Sequence, residues 1–259
     1  MEAMRSTQRN GAEPMTVVAR VARVLSSFTP DHVELSLAEL TARSGLPKST
    51  VHRLLAELEQ AGLVERQDGW VRLGIRLFEL GQLVPRQRTL RDAALPFMED
   101  LREVTRQTVH LAVLDGLEVV YLEILGGHQT PRLPSRVGGR MPAYCTGVGK
   151  ALLAHASPET VAAVVARGLV RRTPYTITSP EALYRQLEDA RSSGTAHDHE
   201  ESAVNFACTA SPVFGADGRA VAALSVTGRL PMLHSERTAP AVRTAALALS
   251  RVLRESHLA

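Results

Sequence analysis

The sequence predicts an α+β chain in two parts: a winged helix-turn-helix, then an antiparallel sheet with flanking helices. Three observations carry this. Residues 37–60 read as two amphipathic helices joined at Gly45. Asp68-Gly69 lies between two short apolar runs, a hairpin signal. From Val109 the apolar period shortens to that of strands, with turns at Asp115-Gly116 and Asp217-Gly218.

Residues 1–14 are polar and lack the apolar core of a secretory signal, so we expect a disordered lead-in. Val17, Val18, Val21, Val24, Leu25 and Phe28 share one face, which predicts a first helix over 16–28, ended by Thr29-Pro30-Asp31. Leu37–Ser44 predicts a second helix. Val51, Leu54, Leu55 and Leu58 then fall at i, i+3, i+4 and i+7, the buried stripe of a third. Pro47 suits its first position and Gly62 its C-terminal cap.

This third helix leaves Lys48, Ser49, Thr50, His52 and Arg53 on its outer leading edge. From Leu40 to Ala56 there are three basic residues, Arg43, Lys48 and Arg53, and no acid. Polar and basic groups on a leading edge reach phosphates and base edges, the pattern of a DNA-reading helix. Arg66 and Arg72, on the hairpin, are candidates for backbone contacts from a wing, with plain solvation an equal alternative. Net charge is only +3, so positive charge has to be presented locally.

Ile75, Leu77, Phe78, Leu80 and Leu83 predict another amphipathic helix, and Val84–Arg88 breaks the pattern. We place a DNA-binding domain at 15–73, a linker helix at 74–88 and a second domain at 89–259. Leu90–Gln107 is helical, with Pro96 starting or kinking it. Strands follow at 110–114 and 118–124, a Gly/Pro/Arg-rich loop to Pro142, and a helix from Gly147. Ser157-Pro158-Glu159 and Ser179-Pro180-Glu181 each supply a cap, a first-turn proline and an acid, so each opens a helix. Strands over 206–214 and 220–227 and a helix over 235–256 complete the chain. No run of about 18 apolar residues suggests a membrane span. Two cysteines, Cys145 and Cys208, make no disulfide framework, so we expect a cytoplasmic protein.

Four stretches together resemble the IclR family of bacterial transcription regulators. They are Gly45–Leu55, Leu73–Leu77, Arg136-Val137-Gly138 through Thr146-Gly147-Val148-Gly149-Lys150-Ala151, and Asp198-His199-Glu200-Glu201 through Cys208–Val213. The resemblance implies a winged-helix domain that reads a palindromic operator in double-stranded DNA. It also implies a linker helix, a GAF-like effector-binding domain, and dimers that often pair into tetramers. It places Gly147, Val148, Asp198, Cys208, Ser225 and Thr227 at the effector, with Leu133 as an apolar wall.

The residues support this placement independently. Ser225 and Thr227 lie two apart on one strand and share a face. N–H groups at a helix start favour an anion. A carboxylate-bearing effector fits both, with Asp198 accepting from its hydroxyl or amide. No cofactor and no catalytic role are expected. Gly147-Val148-Gly149-Lys150 is not a phosphate loop, because Ala151 follows the lysine where Ser or Thr is needed. Lys150 is expected to be structural. Cys208 with His197 or His199 lacks a demonstrated base and orienter for thiol chemistry. We expect the imidazoles of His197 and His199 to point apart, which is poor for one metal ion. A ligand- or metal-sensing module without gene regulation is the rival reading, and the basic-edged helix-turn-helix argues against it.

Overall fold

The computed structural model describes residues 15–127, 133–233 and 235–255. The expected lead-in lies outside them. The chain forms two compact units that divide between Val84 and Pro85.

In the first unit α1 spans Val17–Leu25, capped by the Thr16 hydroxyl, which accepts from the Ala19 N–H. It is shorter than expected because the chain turns at Ser26-Ser27. α2, Leu37–Ser44, starts with a reciprocal cap between Ser36 and Glu39 and ends at Gly45, whose φ of 64° is left-handed. α3, Lys48–Gln60, buries Val51, Leu54, Leu55 and Leu58. Pro47 stands one place before the expected position, as the flanking cap residue with extended ψ.

The hairpin is β2, Val64–Gln67, and β3, Trp70–Leu73. A strand not anticipated from the sequence, β1 at Glu34–Ser36, pairs with β3 to complete a sheet of order β1-β3-β2. Val24, Leu35, Leu40, Leu55 and Val71 close the core. α4, Ile75–Gln82, follows at once. A side chain at Gly74 would put its Cβ 2.3 Å from the Gly62 carbonyl oxygen, so only glycine permits this approach. Arg76 reinforces it by donating to the Ala61 carbonyl at 2.9 Å.

α4 buries none of its residues: Ile75 and Phe78, with Leu83 just past its end, are each more than 60% exposed in the single chain. The expected linker is not one helix. α4 ends at Gln82, and residues 85–88 already belong to α5, Pro85–Thr105, which continues through Pro96.

The second unit is built on β4 (Thr108–Asp115), β5 (Glu118–Leu125), β6 (Arg140–Pro142), β7 (Ala196–His199), β8 (Phe206–Phe214) and β9 (Ala220–Arg229). They form one antiparallel sheet of order β6-β5-β4-β9-β8-β7. Alternation decides what each face meets. Val109, Leu111, Ala222, Leu224 and Val226 pack on α5 and on α9, Ser235–Glu255. The opposite residues face α6 (Gly147–Leu153), with α7 (Pro158–Arg167) and α8 (Pro180–Ser193) beyond it. Ser157 and Ser179 cap α7 and α8. No helix among the described residues is long and apolar enough to cross a membrane.

Candidate functional site

The leading edge of α3 is open. Lys48, Ser49, His52 and Arg53 are exposed and Thr50 is half-buried. Among the described residues, no side-chain hydrogen bond or ion pair engages Lys48, His52 or Arg53. The cause lies in the helix period: with Val51, Leu54 and Leu55 turned inward, residues 48, 49, 52 and 53 must face out.

The other three expected DNA contacts are not free. Arg43 directs its Nε to the Ser27 carbonyl at 2.8 Å, tying α2 to the end of α1. Arg66 pairs with Glu59 at 3.6 Å. Arg72 pairs with Glu65 at 2.7 Å, directly across the hairpin. Both hairpin pairs are solvent-exposed, a class of contact worth about 0–1 kcal/mol, so they balance the wing's charge without anchoring the fold.

The second constellation lies between α6 and the sheet. A cavity there is lined by Leu133, Gly147, Val148, Asp198, Cys208, Ser225 and Thr227, the whole set expected at the effector. It has about 30 Å³ of free space, room for water-sized molecules only. The sheet register explains why these residues meet. Asp198 pairs with Cys208, Cys208 with Thr227, and Ala210 with Ser225. Residues directly opposite in an antiparallel sheet share a face, here the one under α6.

Thr146 caps α6 by accepting from the Gly149 N–H at 3.2 Å. As first-turn groups, the N–H groups of Gly147 and Val148 have no intrahelical carbonyl to bond, and both residues line the cavity. Gly147 is obligatory: a Cβ there would sit 2.7 Å from the Cys208 sulfur.

The sequence reading missed several wall residues, among them His110, Tyr121, Ser135 and Met141. His110 is buried in β4, with Nε2 2.8 Å from the Ser135 hydroxyl and Nδ1 3.4 Å from that of Thr227. Burial holds its imidazole down to about 4. A polar residue between Val109 and Leu111 in an otherwise apolar strand was the signal that could have found it. Tyr121 sits beside it, ring centroids 5.2 Å apart, and donates to the Met141 sulfur at 3.5 Å.

Asp198 faces the cavity but is already engaged. It accepts from the Glu201 N–H at 2.7 Å and from the Ser202 hydroxyl at 2.6 Å. These bonds use part of the carboxylate's acceptor capacity to hold the loop that follows β7. Burial still pushes the carboxyl up, with the Ser202 hydroxyl pulling partly back.

Burial pushes the Cys208 thiol up to about 11 and that of Cys145 up to about 12, so both stay protonated near neutral pH. Lys150 is sealed beneath α6, in an ion pair with Glu201 and bonded to the Gln186 side chain at 2.6 Å. This is the structural role expected of it. The imidazoles of His197 and His199 do not point apart. Residues two apart on a strand share a face, and the rings stack at 5.8 Å with an interplanar angle of 17°. Among the described residues, no cluster of three metal-ligating side chains forms.

The chain is similar to known proteins over nearly all of its length. Residues 17–68 match the model of the IclR helix-turn-helix domain. Residues 82–251 match that of the bacterial transcriptional regulator IclR C-terminal domain. The HTH-type transcriptional regulator XynR of Escherichia coli is 35% identical, over 91% of this chain and 96% of that one. The transcriptional repressor IclR of the same organism is 32% identical, over 85% and 82%. The crystal structure of an IclR homolog from Microbacterium hydrocarbonoxydans, complexed with 4-hydroxybenzoate, superposes with a TM-score of 0.86. It is 37% identical, covering 93% of this chain and 100% of that one. With an open basic helix in one unit, a walled cavity in the other and both family models matched, the chain belongs to the IclR family of bacterial transcriptional regulators, which join a helix-turn-helix DNA-binding domain to an effector-binding domain.

Proposed function

We propose that this regulator works in the cytoplasm as a homodimer, reads a palindromic operator through Lys48, Ser49, Thr50, His52 and Arg53, and releases or gains DNA when a small carboxylic acid enters the cavity under α6. The carrying observation is that the expected effector residues converge on one cavity wall, at a helix start. The relative bound to 4-hydroxybenzoate supports an acid as ligand. Unpaired N–H groups and the helix dipole favour an anion there by about 0.3–2 kcal/mol.

A ring-sized acid needs more than the present 30 Å³. Its entry has to displace irregular wall segments, of which Leu133–Ser135 and Ser202–Asn205 are the candidates, and that displacement is the source of coupling to DNA. Protonated, buried thiols suit wall residues rather than nucleophiles, so no reaction is assigned to the site. The exposed apolar faces of α4 and of Val17 and Val18 on α1 are the surfaces a partner copy would cover. Pairing of the copies would set the spacing of the half-sites.

A gel shift with DNA from upstream of the gene, with and without 4-hydroxybenzoate, tests the reading. We expect a discrete complex whose stability changes with the acid. The double variant Ser225→Ala/Thr227→Ala should lose that response. A full response in the double variant would put the effector elsewhere, and loss of DNA binding would make both residues structural. Sedimentation showing only monomer at micromolar concentration would remove the dimer.

A further inference from the structure

Two hydrogen-bonding groups in the cavity wall stand out. The Ser225 hydroxyl is buried and makes no hydrogen bond of normal geometry, with the Cys208 sulfur a weak acceptor beside it. Such a group is costly unless something donates to it or accepts from it. The other is His110, buried in the strand next to it.

We propose that His110 contacts the effector directly and sets its chemical class, and that a carboxylic acid enters together with one proton, which the imidazole then carries. This rests on the carboxylate reading above. The placement is given by the sheet. His110 on β4 pairs with Ser225 on β9, and Ser225 pairs with Ala210 on β8. A Cβ on Gly147 would lie 3.5 Å from that of Ala210. The start of α6, the orphan hydroxyl and the imidazole therefore form one row, with neighbouring strand positions about 5 Å apart. A carboxylate that takes the Gly147 and Val148 N–H groups with one oxygen reaches Ser225 and His110 with the other.

Charge then decides the protonation. The titratable groups facing His110 are Tyr121 on β5, Asp198 on β7 and Cys208 on β8; Thr227 and Ser135 are neutral. None of them is a cation. Lys150 is committed to Glu201 and Gln186. A carboxylate entering alone would face Asp198 in a dry site with nothing to balance it. The neutral imidazole has a lone pair to offer. The acid's O–H bond breaks and an N–H bond forms on the imidazole, leaving carboxylate beside imidazolium with no change in net charge. Burial alone keeps His110 neutral, and an adjacent anion reverses that balance. The Ser135 hydroxyl, 2.8 Å from Nε2, holds the place the carboxylate would take.

Calorimetric titration of the full chain with 4-hydroxybenzoate and with benzoate, in two buffers of different ionisation heat, counts the protons. We expect net uptake approaching one proton per site near neutral pH, and affinity that weakens as pH rises. His110→Gln keeps a donor but cannot hold the charge. It should bind about 10- to 100-fold more weakly, the usual range for a bond to a charged group, and without proton uptake. Ser135→Ala removes a competitor for the imidazole and should bind at least as tightly as wild type, uptake retained. Wild-type binding without proton uptake would overturn the proposal, as would wild-type affinity in His110→Gln. Should His110→Gln not fold, the wild-type proton count and the sign of the Ser135→Ala effect still decide. If the wild type binds neither acid, the carboxylate reading itself fails and this inference with it.

Discussion

The chain has two lysines, and the two units use them in opposite ways. Lys48 is exposed on the leading edge of α3. Lys150, 1% exposed, is held beneath α6 by Glu201 and Gln186. An exposed charge needs no partner within the fold, so it is available to a polyanion at little desolvation cost. A sealed charge must be balanced where it lies, and its work is to hold a helix against a loop. The same contrast runs through the arginines and carboxylates: Arg53 is open, whereas Asp198 is enclosed by the loop it shapes.

The sharpest way to break this contrast is to remove the charge from each lysine. Lys150→Met strands Glu201 as a buried, unbalanced carboxylate. We expect a loss of about 3–5 kcal/mol of stability by chemical denaturation. Lys48→Ala, on the surface, should stay within about 0.5 kcal/mol of wild type. Equal losses in the two variants would erase the distinction.

A loss nearly as large is expected from pH, through His110. Its imidazole titrates at about 4 in the fold against 6.5 ordinarily. Between those values the unfolded chain binds the extra proton. The stabilisation is therefore complete above 6.5 and is lost as pH falls toward 4, a difference of about 3 kcal/mol. His110→Gln should flatten this part of the pH–stability curve, and an unchanged slope would mean that His110 is solvated in solution.

The smallest effect separates the edge of α3 from the wing. Arg53→Ala should weaken operator binding by about 1–3 kcal/mol if it meets a base, and relax specificity at one position. Arg72→Ala should cost less than about 1 kcal/mol in DNA binding, because Glu65 already balances that arginine. The reverse order, measured by fluorescence anisotropy, would make the wing the principal contact.

The helix-turn-helix was legible because its information is local. The stripe Val51, Leu54, Leu55 and Leu58 both buries one face of α3 and, by subtraction, names the other. The short strands were not. Glu34-Leu35-Ser36 has one apolar residue and is a strand only because β3 lies beside it. Ala196–His199 is mostly polar, and its strand is imposed by β8. In the cavity, residues carried by recognisable motifs were found, whereas His110 and Ser135, distant in sequence and joined only by the fold, were not. The misplaced imidazoles of His197 and His199 had a simpler cause, since strand alternation itself puts positions two apart on one side.

The tight seat of Gly74 against Gly62 also bears on how this regulator can be taken apart and rebuilt. Although α4 follows the wing without a spacer, its start is fixed to the end of α3 by that contact and by Arg76. α4 thus travels with the reading head. A hybrid joining this reading head to another relative's sensor should be cut between Val84 and Pro85, where the compact units part, rather than at Leu73 where the hairpin ends. Cutting at the earlier point would strip the first module of a segment it holds by its own backbone, and a biosensor assembled that way would inherit a frayed seam.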